Sequence, residues 1–182
     1  MMVESSANPY WIDTVGLAKT AEGAPPRIAI VPCPAGGRQL GEAICELRVQ
    51  GIESLVSLLS PEEVRVLRLE EEERLCHEMS MDFRWYSVAD HSIPKSMEEF
   101  RAVVEELQRD LRAGKGVGAH CFAGIGRSCM LMAGLLCAEG VSANEAFRRL
   151  SVARGLPVPD TFPQAQWVED FAASLETSGG PL

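Results

Sequence analysis

Positive charge is scarce in this 182-residue sequence: 17 Lys and Arg stand against 26 Asp and Glu, a formal net charge of −9. A surface of that sign repels polyanions as a whole, so neither nucleic acid nor an anionic membrane is expected as a partner. No run of eighteen apolar residues occurs, which speaks against a membrane-spanning helix. The first residues offer neither a basic segment nor an apolar signal-type core, so no export signal is expected there. Internal repeats and low-complexity blocks are missing too. The six cysteines need not form a disulfide framework, because a chain of this length that is 46% hydrophobic can close a core unaided. One domain is therefore expected over 10–176, with a flexible N-terminus, 1–9, and a flexible tail, 177–182.

What is present is an alternation of strand and helix patterns. Strands are expected at Tyr10–Leu17, Arg27–Pro32, Ile52–Leu59, Phe83–Val88 and Gly116–His120. Leu40, Ile44 and Leu47 recur at helical spacing ahead of Gly51. Ser60-Pro61-Glu62-Glu63 combines an N-cap, a first-turn proline and a capping-box glutamate, opening a helix that runs, broken or not, to about Met79. Within it Glu70 to Glu73 reads as a solvated helix face in preference to a recognition surface for basic partners, and His77 carries no functional reading. Met97, Phe100, Val104, Leu107 and Leu111 mark a helix over Ser96–Arg112. Cys129–Ala138 is apolar all round and should be a central, wholly buried helix. Ser142 and Glu145 form a second capping box, opening a helix through Arg154. A last helix, about Pro163–Leu175, carries Gln164, Val168, Phe171 and Leu175 on one face. This order predicts an α/β domain with a central, largely parallel sheet flanked by helices, whose ligand lies beyond the carboxyl ends of the strands.

At such an end stands His120-Cys-Phe-Ala-Gly-Ile-Gly-Arg-Ser128, between the strand and the buried helix. A strand-to-helix turn gathers backbone N–H groups and the positive end of the helix into one small space, a geometry that holds a tetrahedral oxyanion. Gly124 and Gly126 let the loop curl. The amides and dipole that favour an anion also favour a thiolate, so Cys121 should be a nucleophile at neutral pH. Arg127 offers a planar fork for two phosphate oxygens, and Ser128 can donate to the sulfur.

Cys121, five residues, Arg127 and Ser128, preceded by His120, resemble the signature of the cysteine-dependent protein tyrosine phosphatase superfamily, in its small dual-specificity branch. The resemblance extends over roughly Arg27 to Phe171. It implies a phosphomonoester hydrolase acting on phosphorylated protein or peptide substrates through a phosphocysteine, with no cofactor and no metal. The amides of Phe122, Ala123, Gly124, Ile125, Gly126 and Arg127 would then bind phosphate. A reduced thiol is required, which favours a cytoplasmic location, and a monomer is the default.

Expulsion of an alkoxide or phenoxide needs a general acid. Asp90, in Ala-Asp-His-Ser-Ile-Pro94, resembles the Asp-loop of dual-specificity phosphatases. Its rival reading is a turn-capping aspartate. Asp82 is the second candidate but precedes the strand, at the wrong end of the sheet, and His91, a proton donor in principle, is read as a loop residue that shapes the rim. His120 should bond loop carbonyls and favour the thiolate. Val158-Pro-Asp-Thr161 with Gln164 and Trp167 resembles the C-terminal stretch of kinase-associated-type phosphatases, where Gln164 either orients the hydrolytic water or serves as a helix-start residue. Cys129 is the nearest partner for an oxidised Cys121, yet simple burial is expected for it and for Cys33, Cys45, Cys76 and Cys137.

Phe122 stands where similar bacterial sequences often carry Arg, and no lysine lies between Cys121 and Arg127, as one does in lipid-phosphate relatives. A Trp-Pro-Asp loop and a phosphotyrosine-clamping segment are also missing, which implies a shallow, less tyrosine-exclusive site. A phosphoinositide or RNA-end phosphatase, a silent phospho-protein binding module and a rhodanese-like sulfur transferase remain as rival readings.

Overall fold

The computed structural model describes residues 8–178; residues 1–7 and 179–182, which make up most of the two expected loose ends, lie outside it. One five-stranded sheet organises the described chain. Its strands are β1 (Tyr10–Trp11), β2 (Arg27–Ile30), β3 (Ser54–Ser57), β4 (Asp82–Trp85) and β5 (Gly116–His120), in the order β1-β2-β5-β3-β4. β1 runs antiparallel to β2, and every other pairing is parallel. The α/β architecture with a largely parallel central sheet is thus as the sequence pattern predicts.

Strand alternation decides which helix layer each residue meets. Ile28 and Ile30 join a core built with α4 (Met97–Arg112), α5 (Arg127–Ala138), α6 (Ala143–Arg154) and α7 (Phe162–Ser178). Ala29 and Val31 face the other way, into a smaller core with α1 (Leu40–Val49), α2 (Pro61–Leu67) and α3 (Glu72–Glu78). Every residue of α5 from Arg127 to Cys137 is buried, because that helix packs against α4, α6 and α7 at once.

Several elements are shorter than their patterns. β1 stops at Trp11, where Asp13 accepts a bond from the Val15 amide and turns the chain. β4 ends at Trp85, although the Tyr86 and Val88 amides still reach the Ser57 and Leu58 carbonyls. The helix expected from Ser60 to Met79 breaks at Arg68, which takes a left-handed φ of 58° as C-cap and lets Leu69 turn into the core. Of the two capping boxes, Ser60 and Glu63 complete theirs. Ser142 makes only its own half, since the Glu145 carboxylate bonds Arg148 and Arg149 instead. In the other direction, α7 continues past Leu175 to Ser178.

The α4–α5 contact depends on a missing side chain. A Cβ on Gly134 would stand 2.7 Å from the Phe100 ring, which itself stacks edge-on to Phe171 at 5.0 Å. Gly134→Val is therefore expected to destabilise the fold by about 1–3 kcal/mol through overpacking. Urea denaturation measures this; an unchanged midpoint would show that α4 yields freely.

Candidate active site

β5 lies in the middle of the sheet and ends at His120, and α5 begins at Arg127, so residues 121–126 form a loop at the carboxyl end of the central strand. No side chain caps α5, whose N-cap is Gly126. The first amides of this buried helix are therefore left to an anion. The left-handed φ of Gly124, 66°, makes the turn. Gly126 is required for a different reason: a Cβ there would lie 2.2 Å from the Asp160 carboxylate.

Cys121 sits at the floor of a cavity of about 270 Å³. Although the residue is 3% exposed, it lines that cavity. Burial pushes its thiol pKa up, but the Ser128 hydroxyl and amide, the Arg127 charge and the Gly124 amide outweigh it, and the net direction is down. Ser128 Oγ stands 3.4 Å from the sulfur, and the Gly124 amide donates to it at 3.3 Å.

Arg154, on α6, explains how the loop amides are aimed. Its Nε donates to the Gly124 carbonyl at 2.7 Å and its Nη2 to the Ala123 carbonyl at 3.2 Å, while its guanidinium stacks over Tyr10. In a trans peptide the N–H points opposite to the C=O. Fixing the Ala123 carbonyl on the outside thus directs the Gly124 N–H toward the sulfur, and fixing the Gly124 carbonyl directs the Ile125 N–H inward.

Arg127 is 2% exposed and forked onto Glu63, Nη1 to Oε2 and Nη2 to Oε1, both at 2.8 Å. Nη1 also donates to the Val88 carbonyl at 3.0 Å. With the Nη1–Nη2 edge occupied, the Nε–Nη2 edge is the fork left for a second oxyanion, and Asp90 Oδ1 stands 3.0 Å from that Nη2. A glutamate first legible as a helix cap therefore does two things, holding the α2 N-terminus and orienting the guanidinium.

The remaining wall comes from two segments. Asp90 and His91 lie on the loop after β4, and His91 holds a left-handed φ of 54°. Its Nδ1 is 3.1 Å from Asp160 Oδ2 and its Nε2 is 3.4 Å from Asp90 Oδ2, so the imidazole spans two carboxylates. Gln164, fully buried in the first turn of α7, donates from Nε2 to the Ser92 carbonyl, and its Oε1 has no partner. That oxygen would be 2.8 Å from a Cβ on Gly126, so it faces the loop. Phe122, 56% exposed, lines the mouth. Asp82 is elsewhere, paired with Lys115 at the amino end of β4.

The structure brings Cys121, Arg127, Asp90, Ser128 and Gln164 to one place, and His120 lies directly behind. The His120 Nδ1 is 3.4 Å from the Cys121 carbonyl and its Nε2 is 2.8 Å from Glu72 Oε1. Burial opposes its charge, but Glu72 and Cys33 carry its pKa well above the usual histidine value. This corrects the reading of Glu70–Glu73 as a solvated face: Glu72 is 2% exposed and turned inward. Simple burial likewise fails for Cys45, which is exposed, and for Cys33, which is partly so. Cys129 is buried, its thiol pushed up by burial and bonded to the Gly124 carbonyl at 3.6 Å. Glu63, Glu72 and Arg154 carried no site signal in the sequence, and Asp160 was marked only through the segment Val158-Pro-Asp-Thr161 that contains it.

A family model described as Tc-R-P, polymorphic toxin system, DSP-PTPase phosphatase, matches residues 34–141. In fold the chain is similar to kinase associated phosphatase with its catalytic-site cysteine replaced by serine, at a TM-score of 0.82 and 19% identity over 96% of this chain and 98% of that one. It is also similar to Tk-PTP in its active form, with TM-score 0.68, 21% identity, and 91% and 97% of the two chains covered. PTPMT1 in complex with PI(5)P gives TM-score 0.68 at 14% identity over 83% and 94%. No curated protein matches the chain in sequence.

The fork has a measurable acid signature. Hydrogen bonds from Arg127, opposed by burial and aided by Ser60, bring the Glu63 carboxyl from the ordinary 4.5 to about 2. A carboxyl depressed in the folded state stabilises it above the unfolded value and loses that contribution as pH falls through the folded one. Wild-type thermal stability should hence decline more steeply than that of Glu63→Gln between pH 4.5 and about 2. At pH 7 the variant should be less stable by about 1.5–3 kcal/mol. Parallel pH curves for the two proteins would mean that Glu63 is not ionised against Arg127.

Proposed function

The chain belongs to the family of polymorphic-toxin-system DSP-PTPase phosphatases, and from that premise we propose that it is a metal-free phosphomonoester hydrolase. Its substrates are phosphorylated protein side chains, phosphotyrosine foremost and phosphoserine or phosphothreonine with it, and its intermediate is a phosphocysteine. One observation carries the reading: a cysteine whose thiol is driven down despite burial lies on the floor of a cavity that also contains a guanidinium held by a fork.

In the first step the Cys121 thiolate attacks phosphorus, an S–P bond forms, and the P–O bond to the leaving group breaks. Arg127 and the amides from Phe122 to Arg127 hold the equatorial oxygens, where charge must be stabilised. Asp90 gives its proton to the departing oxygen. In the second step water attacks phosphorus, Asp90 takes the water proton, and the S–P bond breaks to return the thiolate beside Ser128. The unpartnered Gln164 Oε1 supports a role in seating that water.

The lining supports a monoester of a protein side chain. Besides Arg127 and the imidazole of His91 it offers no basic side chain, and it carries Asp90 and Asp160. Further phosphates on an inositol or an RNA end would meet carboxylates, whereas Phe122 offers an apolar wall to an aromatic ring.

Cys121→Ser should abolish hydrolysis of p-nitrophenyl phosphate while vanadate still raises the melting temperature. Wild-type activity should persist in EDTA. Substantial turnover by the variant would end the mechanism. Asp90→Asn should lower kcat on phenyl phosphate by about 10²-fold or more, the scale of general acid catalysis, and much less on p-nitrophenyl phosphate, whose leaving group needs little protonation. Equal, small losses on both would remove Asp90 from its role.

A further inference from the structure

A second and larger concavity, about 510 Å³, opens between α2, α3 and the edge of the sheet, and none of its lining residues is shared with the catalytic cavity. Val64 and Phe83 make its sides apolar. At its floor is Ser57, 1% exposed, whose Oγ has no hydrogen-bond partner. A buried hydroxyl left unpaired is costly, and a ligand that reaches it relieves that cost.

One wall is the ring of Trp85, 52% exposed. Its indole N–H is already given to the Leu59 carbonyl at 2.8 Å, so what it offers an occupant is an aromatic surface that attracts cations. Glu70 and Glu73 stand at the rim, and no ion pair among the described residues engages either. Glu72 also lines the groove but is matched to His120, and Arg65 offsets one rim charge. The balance is one uncompensated negative charge above an apolar, aromatic slot with a waiting hydroxyl. An arginine side chain fits that set: an apolar stem, a planar cation for Trp85, and several donors for the carboxylates and Ser57.

The outermost strand of the sheet, β4, carries both Phe83 and Trp85. An extended segment running beside an edge strand sends alternate side chains to one face. We propose that this groove is a docking site for an arginine side chain on an extended basic segment of a partner polypeptide. The site is separate from the catalytic loop, and its occupancy is readable without turnover.

The test is calorimetric titration with the blocked pentapeptide Gly-Val-Arg-Val-Gly and its norleucine counterpart, in saturating vanadate to close the catalytic cavity. The arginine peptide should bind at least about tenfold tighter than the norleucine one. Its affinity should fall about tenfold in the double variant Glu70→Gln/Glu73→Gln, whose changes are on the surface and leave the fold intact. Ser57→Ala should weaken it less, by about threefold. Equal binding of the two peptides would reduce the groove to an apolar crevice. Arginine-peptide binding unchanged in the double variant, or no binding at millimolar concentration, would overturn the proposal.

Discussion

A guanidinium with almost no exposed surface cannot stay in a protein interior unless its charge is matched and its donors are used. Arg127 meets both conditions through Glu63 and the Val88 carbonyl, and the rest of the site follows from how that is done. Glu63 can reach it only because α2 starts immediately after β3, and Val88 only because the chain leaving β4 still follows β3. Three parallel strands thus finish at the same level, and the turns after them enclose one side chain. Their common end is also where the first amides of α5 are left without a side-chain cap, so the cation and the helix terminus address the same small volume.

The same requirement separates what was legible in the sequence from what was not. Strand and helix patterns report local periodicity, and the one long apolar run, Cys129–Ala138, had to be the central helix once no other segment matched its hydrophobicity. The loop from His120 to Ser128 was legible because its chemistry is contiguous. Glu63 was visible only as a cap, since nothing near Ser60 hints at a partner 64 residues away. Glu72 sits in a run of four glutamates that periodicity assigns to solvent; the break at Arg68 rotates the next helix and turns that carboxylate toward His120. Arg154 ends its helix as any basic residue would, and only the fold reveals that it bonds two loop carbonyls. In each case the missed partner belongs to a different element, and spacing along the chain carries no information about it.

Strand lengths differ from their patterns for a related reason. Hydrophobic alternation continues past β3 and β4 because Leu58, Leu59 and Val88 beyond them remain buried; the Leu58 and Val88 amides still bond neighbouring strands, while their carbonyls accept from Arg127. Ser57, at the last paired position of β3, faces α2 and α3, while Leu58 turns its side chain into the larger core and its carbonyl toward Arg127. Burial extends further than pairing, and a reading from hydrophobicity records burial.

A chain of net charge −9 that binds a phosphate dianion needs a local source of positive potential. Under the proposed mechanism Arg127 alone is insufficient, since Glu63 neutralises its charge and Asp90 already stands at its free edge. The loop amides and the uncapped helix end supply the remainder, and they do so without counter-ions of their own. In that proposal an arriving phosphate takes the Nη2 contact from Asp90, because both would use the same free edge of the guanidinium. Competition for a single N–H would therefore link occupation of the proposed site to the position of Asp90, and His91, spanning Asp90 and Asp160, ties that carboxylate to the opposite wall.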